Sequence, residues 1–108
     1  SLTQLIAKMV FEDREEVEKM ILYLKDQREY LAGKLKSLKG VYVYPSWANY
    51  ILIRVCGAKE IARKLYEKGV LVRSFFDDPV LSDCIRISVG TKEQNDIFLE
   101  EFISIMKY

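Results

Sequence analysis

The sequence predicts an α+β domain, a small antiparallel or mixed sheet of three to four strands packed on one face by helices and preceded by a long N-terminal helix. Three observations carry that expectation. Apolar residues recur at three- and four-residue steps over the first third of the chain and again at its end, which is helical periodicity. Between these stretches lie short runs rich in Val, Ile and Tyr, bounded by Gly, Pro, Asp and Ser, which read as strands. At 108 residues the chain has the length of one domain, and a domain of that size buries roughly two-thirds of its unfolded surface, enough for a real core.

In chain order, residues 2–10 place Leu2, Leu5, Ile6, Met9 and Val10 on one helical face. Phe11-Glu12 breaks the pattern, and Asp13 with Glu16 makes a capping box for a longer helix. Its stripe is Val17, Met20, Ile21, Leu24, Leu31, Leu35 and Leu38, and Lys39-Gly40 stops it. A helix of roughly 25 residues, about 37 Å long, exceeds what a small sheet needs, so its N-terminal half is expected to pack on something else. Its charges read as a solvated face with i,i+4 support such as Glu15 with Lys19. Residues 41–44 form a short strand ended by Pro45-Ser46, and residues 50–56 an apolar central strand closed by Gly57. A helix over 58–68 turns Ile61, Ala62, Leu65 and Tyr66 inward and stops at Gly69, a position suited to a left-handed residue. A strand over 70–75 follows. Asp77-Asp78-Pro79 reads as a turn rather than a pair of working carboxylates, and a strand runs over 84–89. Thr91 caps the last helix, Gln94 completes a second capping box, and Ile97, Phe98, Phe102 and Ile105 form its buried stripe.

Composition excludes several function classes. Lys+Arg 17 against Asp+Glu 16 gives a net charge of +1, so the electrostatic footprint of a nucleic-acid binder is missing. No apolar run approaches the roughly 20 residues that span a bilayer, and no basic-then-apolar leader is present. The expectation is a cytoplasmic protein whose partners include neither membrane nor nucleic acid. Cys56 and Cys84 stand alone in apolar runs and read as two buried free thiols. Without histidine the chain cannot build a His-based zinc site, a Ser-His-Asp triad or a Cys-His pair, and no metal site is expected. There is no Gly-rich phosphate loop. Lys92 and Lys107 are exposed helix lysines by pattern, unsuited to a Schiff base. Tyr42, Tyr44, Trp47 and Tyr50 cluster, as strand aromatics of a core or interface commonly do. The chain starts with Ser1 inside a helical pattern, so a piece of a longer protein is expected.

Arg73 and Arg86 stand apart. An arginine in an apolar strand is costly to desolvate unless an anion meets it, because guanidinium carries five donors and keeps its proton. A period of two sorts Ile85, Ile87 and Val89 onto one face and Cys84, Arg86 and Ser88 onto the other, toward whatever covers that side; it also sets Arg73 beside Leu71 and Phe75. The residues alone support an anion-binding face, with a structural salt bridge as the competing reading.

Residues 43–55 (VYPSWANYILIRV), 67–73 (EKGVLVR) and 84–91 (CIRISVGT), followed by Glu93-Gln94-Asn95, resemble the C-terminal domain of the histidinol-phosphate aminotransferases, a branch of the fold-type I aminotransferases. The resemblance covers essentially the whole chain in order; Trp47 departs from it, standing where the family usually has an acidic residue. It implies that residues 1–108 are the small domain of a pyridoxal-phosphate enzyme, with residues 1–38 leading into it. It implies amino transfer from histidinol phosphate to 2-oxoglutarate, giving imidazole acetol phosphate and glutamate. In the family the arginine matching Arg86 binds the substrate carboxylate, or sits near the phosphate end of the amino-alcohol substrate, while the one matching Arg73 helps hold the phosphate. Pyridoxal 5'-phosphate, its Schiff-base lysine and its phosphate cup belong to the large domain, so this chain alone is expected to be inactive. A homodimer is expected of the full-length enzyme, and self-association of the uncovered face if the domain stands alone. The small domains of threonine-phosphate decarboxylase and of other class I/II aminotransferases look much alike, and a non-enzymatic anion-binding module is the alternative from a different class.

Overall fold

In the computed structural model, which describes residues 4, 14–46, 48–75 and 77–107, the elements run α1 (Arg14–Lys36), β1 (Val41–Val43), β2 (Tyr50–Val55), α2 (Ala58–Glu67), β3 (Arg73–Ser74), β4 (Cys84–Ser88) and α3 (Lys92–Met106). The four strands form one open sheet in the order β1-β2-β4-β3, antiparallel at every pairing. The helix expected over residues 2–10, Asp13 of the first capping box and Trp47 lie outside the described residues.

Strand alternation decides which side of the sheet is covered. Ile51, Ile53 and Val55 of β2 and Ile85 and Ile87 of β4 project to one face and are buried there. They pack with Leu31 and Leu35 of α1, Ile61 and Leu65 of α2, and Phe98, Leu99 and Phe102 of α3 in a single core. Each such side chain, fully buried, contributes about 1.5–3 kcal/mol. The Phe98 and Phe102 rings stack with centroids 5.3 Å apart. All three helices therefore sit on one face.

The helices obey their local signals with informative exceptions. In α1 the buried residues are Val17, Leu24, Leu31 and Leu35. Only the last two join the core, because the 23-residue helix overruns the sheet and leaves Ile21 51% exposed. An ion pair on its outer face joins Lys19 to Glu16, 3.5 Å apart. Helix α2 ends in a Schellman motif: Gly69 has φ 81°, its N–H donates to the Tyr66 carbonyl, and the Val70 N–H donates to the Leu65 carbonyl. Tyr66 is exposed rather than turned inward, since it lies about 100° round the helix from Leu65. The Schellman bond also shortens β3. Val70 is engaged in the helix exit, and only Arg73 and Ser74 pair with β4 where residues 70–75 read as strand.

Helix α3 starts as expected. Thr91 accepts from the Gln94 N–H at 3.3 Å, and the Gln94 side-chain oxygen accepts from the Thr91 N–H at 3.0 Å. Its buried residues are Asn95, Phe98, Leu99 and Phe102, with Ile105 packed against the core; of the expected stripe Phe98, Phe102 and Ile105 hold and Ile97 is exposed.

Candidate functional site

The sheet face away from the helices carries Tyr50, Leu52 and Arg54 from β2 and Cys84, Arg86 and Ser88 from β4. Register then brings the two predicted arginines together. Arg86 stands opposite Leu52 on one side and Arg73 on the other, so Arg73 and Arg86 are direct cross-strand partners. Such partners share a face with Cβ atoms about 4.5–5.5 Å apart, and like charges placed so are destabilising. Among the described residues neither guanidinium forms an ion pair with a carboxylate. Each instead lies over an aromatic ring, Arg73 at 5.2 Å from the Phe75 centroid and Arg86 at 5.3 Å from that of Tyr50. Cation–π contacts at exposed sites are worth only about 0.5–1 kcal/mol and leave the charge uncompensated. Two planar forks on paired residues, with no carboxylate partner among the described residues, suit a carboxylate or a phosphate.

Arg54 is a third arginine in an apolar strand, as costly to desolvate as Arg73 and Arg86, and the structure shows why it differs. Arg54 Nε donates to the Tyr44 hydroxyl at 2.8 Å and its Nη2 to the Val80 carbonyl at 3.1 Å. The Tyr44 oxygen is the leading cause that pushes the Arg54 pKa up. Tyr44 is itself packed edge-to-face on Tyr42, centroids 4.8 Å apart. The loop between β3 and β4 is a built turn in which the Asp78 carboxylate accepts from the N–H groups of Leu81 at 2.9 Å and Val80 at 2.8 Å, and these bonds hold its carboxyl below the usual aspartate range. Asp77-Asp78 thus acts as a turn.

Asn95 is a supporting residue that the sequence pattern hides. It is 2% exposed; its side-chain oxygen accepts from the Gly90 N–H at 2.9 Å, and its Nδ2 donates to the Gly90 carbonyl and to Gln27 Oε1, both at 3.1 Å. The joint between the Arg86 strand and α3 is locked by these bonds and tied to α1. Nearby, the Tyr23 hydroxyl accepts from the Lys92 N–H at 2.9 Å and the Tyr30 hydroxyl donates to Asp96 at 2.6 Å, a bond that pushes the Tyr30 pKa up. Lys92 is exposed and paired with Asp96 at 3.7 Å.

The thiols differ from expectation. Cys84 is buried, but Cys56 is exposed because α2 begins at Ala58 and a turn must precede it. The open face is accordingly only partly open: Ser88 is exposed, Arg86 half-buried and Cys84 enclosed, with the 77–83 loop bonded to neighbouring Arg54 and Val55. A shallow cleft of about 400 Å³ lined by Tyr44, Ser46, Tyr50 and Leu52 runs along this face. Neither Arg73 nor Arg86 lines this cleft or two others, of about 490 and 540 Å³. Among the described residues no cluster of three or more Cys, Asp or Glu could hold a metal, and no helix is long and apolar enough to cross a membrane.

The family model for aminotransferase class I and II matches residues 1–102. A histidinol-phosphate aminotransferase of Ruminiclostridium cellulolyticum is 49% identical over 105 residues, covering 97% of this chain and 29% of its own length. Among solved structures, the histidinol-phosphate aminotransferase of Clostridium acetobutylicum superposes with a TM-score of 0.79 over 89% of this chain and 30% of its own; at 19% identity that likeness is one of fold. A decarboxylase from Sulfurospirillum multivorans superposes with a TM-score of 0.76 at 28% identity, over 84% of this chain and 27% of that one. The chain spans under a third of the length of these proteins, and the match covers its sheet and nearly all of α3. With a family match across residues 1–102 and a relative 49% identical over nearly its whole length, the chain belongs to the class I and II aminotransferases.

Proposed function

We propose that the chain is the C-terminal small domain of a pyridoxal-phosphate aminotransferase acting on histidinol phosphate, and that Arg73 and Arg86 form the wall that grips the anionic end of the substrate. The observation that supports this reading is the cross-strand pairing of Arg73 with Arg86, neither of which has a carboxylate partner among the described residues. An anion lying between them relieves their repulsion and accepts from both forks. Each charge-assisted contact is worth about 1.5–3 kcal/mol. The stacking on Phe75 and Tyr50 restricts both guanidiniums beforehand, so little side-chain freedom remains to be lost on binding. Behind Arg86 the strand is anchored by buried Ile85 and Ile87, a rigid base for a site. The 49% identical relative, itself called a histidinol-phosphate aminotransferase, supports that substrate.

Pyridoxal 5'-phosphate is the cofactor this family reading implies, and when bound it supplies the electron sink of amino transfer. The described residues do not fit the role of holding it. None of the described lysines or carboxylates is buried, and the one buried polar side chain among them, Asn95, spends its hydrogen bonds on Gly90 and Gln27. Its holding groups are therefore assigned to the rest of the protein, and the part played by this chain is to bind the substrate anion and orient it.

In the full-length protein, Arg86→Ala should lower kcat/KM for histidinol phosphate roughly 10- to 150-fold, the equivalent of one charge-assisted contact. A near-normal kcat/KM overturns the assignment of Arg86. The likeness to the S. multivorans decarboxylase supports a second reading, in which the same face belongs to an enzyme that releases carbon dioxide. Release of carbon dioxide without amino transfer would select it.

A further inference from the structure

We propose that Arg54 is a positioning residue for the anion site: by holding the 77–83 loop against the sheet, it sets where the Arg73 guanidinium stands opposite Arg86. The inference rests on the reading of Arg73 and Arg86 given above and deepens it.

Strand β3 is a weakly held edge. It pairs with β4 only through Arg73 with Arg86 and Ser74 with Ile85, and the first pair sets two like charges against each other. The loop that leaves β3 therefore matters for the strand's position. Most bonds of the loop are local, running from Asp78 to Phe75, Val80 and Leu81 and from Cys84 to Leu81. Among the described residues its hydrogen bonds to β2 are two: the Val55 N–H donates to the Asp83 carbonyl at 2.8 Å, beside β4, and Arg54 donates to the Val80 carbonyl at 3.1 Å, in the middle of the loop. The Arg54 bond is thus the one of the two that reaches the part of the loop joined through Asp78 to Phe75, beside β3.

Geometry makes Arg54 fit for this. It stands opposite Tyr42 of β1 and Cys84 of β4, so its side chain rises from the same face as Arg86. The Tyr44 hydroxyl takes its Nε at 2.8 Å and fixes the plane of the guanidinium, which directs Nη2 at Val80. Both acceptors are uncharged. A carboxylate bonded to Arg54 itself would tie it more strongly but offset its charge, whereas a carbonyl and a phenol hold the loop without an ion pair at Arg54.

The test is calorimetric binding of inorganic phosphate to the full-length, cofactor-loaded protein and to its Arg73→Met, Arg54→Met, Arg54→Lys and Arg54→Met/Arg73→Met variants. Loss of the Arg73 contact should weaken phosphate about tenfold or more. Arg54→Met should weaken it by about three- to tenfold, Arg54→Lys should do the same because it keeps the charge but loses the two-point fork, and the double variant should bind no worse than Arg73→Met alone. Wild-type affinity in Arg54→Met, recovery in Arg54→Lys, or losses that multiply in the double variant would each overturn the positioning role, the last because Arg54 would then act on the anion by itself. If Arg54→Met does not fold, Arg54→Lys and its combination with Arg73→Met carry the same comparison. Wild-type affinity in Arg73→Met would instead overturn the anion site itself, and the positioning role with it.

Discussion

Replacing Asn95 by alanine should destabilise the chain by about 2–6 kcal/mol. The magnitude comes from the groups the side chain leaves behind. Asn95 satisfies both backbone groups of Gly90, accepting from its N–H at 2.9 Å and donating to its carbonyl at 3.1 Å, and Gly90 is itself buried. Alanine would strand one donor and one acceptor in the interior, each costing about 1–3 kcal/mol, whereas half-buried Gln27 can turn to water. Against a total stability of about 5–15 kcal/mol for a domain, that loss is severe. Asn95→Asp should be no milder, because a carboxylate would face the Gly90 carbonyl. Urea unfolding followed by far-ultraviolet circular dichroism measures the effect as a lower midpoint at unchanged slope. A loss for Asn95→Ala under about 0.5 kcal/mol, the range of ordinary surface changes, would refute the reasoning and mean that Gly90 finds other partners.

Thr91→Ala removes the oxygen that accepts from the Gln94 N–H and should cost about 1 kcal/mol, with Thr91→Ser recovering most of it; an unchanged midpoint for the alanine variant contradicts this. The Asp78 carboxyl, bonded by the amides of Leu81 and Val80, is held below its unfolded pKa, so its contribution is present above the unfolded value and is lost as pH falls through the folded one. The Val80 and Leu81 amide resonances should therefore titrate together in acid with a midpoint below that of an ordinary aspartate, and a midpoint at or above it would deny the turn its role.

The features legible in the sequence were local. The Thr91–Gln94 box and the left-handed stop at Gly69 are signalled by residues three or fewer apart, and both are present. Strand alternation likewise separates Ile85 and Ile87 from Arg86. Register is not local: nothing near Arg73 in the chain says that it faces Arg86, since that pairing depends on how long the connecting loop is and how it folds on Asp78. Helix phase misled where two choices were close. Ile97 reads as core, yet the buried set Asn95, Phe98, Leu99 and Phe102 follows the i, i+3, i+4, i+7 rule with an asparagine in the first place. A polar residue at a core position was the available signal for Asn95. Arg54 carried the same signal as Arg73 and Arg86, and only its two uncharged acceptors reveal that it supports the site from beside it.

The central claim is that one anion engages the guanidiniums of both Arg73 and Arg86. The most direct measurement follows the side-chain Nε–H resonances of Arg73 and Arg86 in full-length protein labelled at arginine nitrogen, as inorganic phosphate is added. Both signals should move along a single saturating curve with one phosphate bound per site. Two curves with different midpoints, or signals that stay where they are, would contradict the claim.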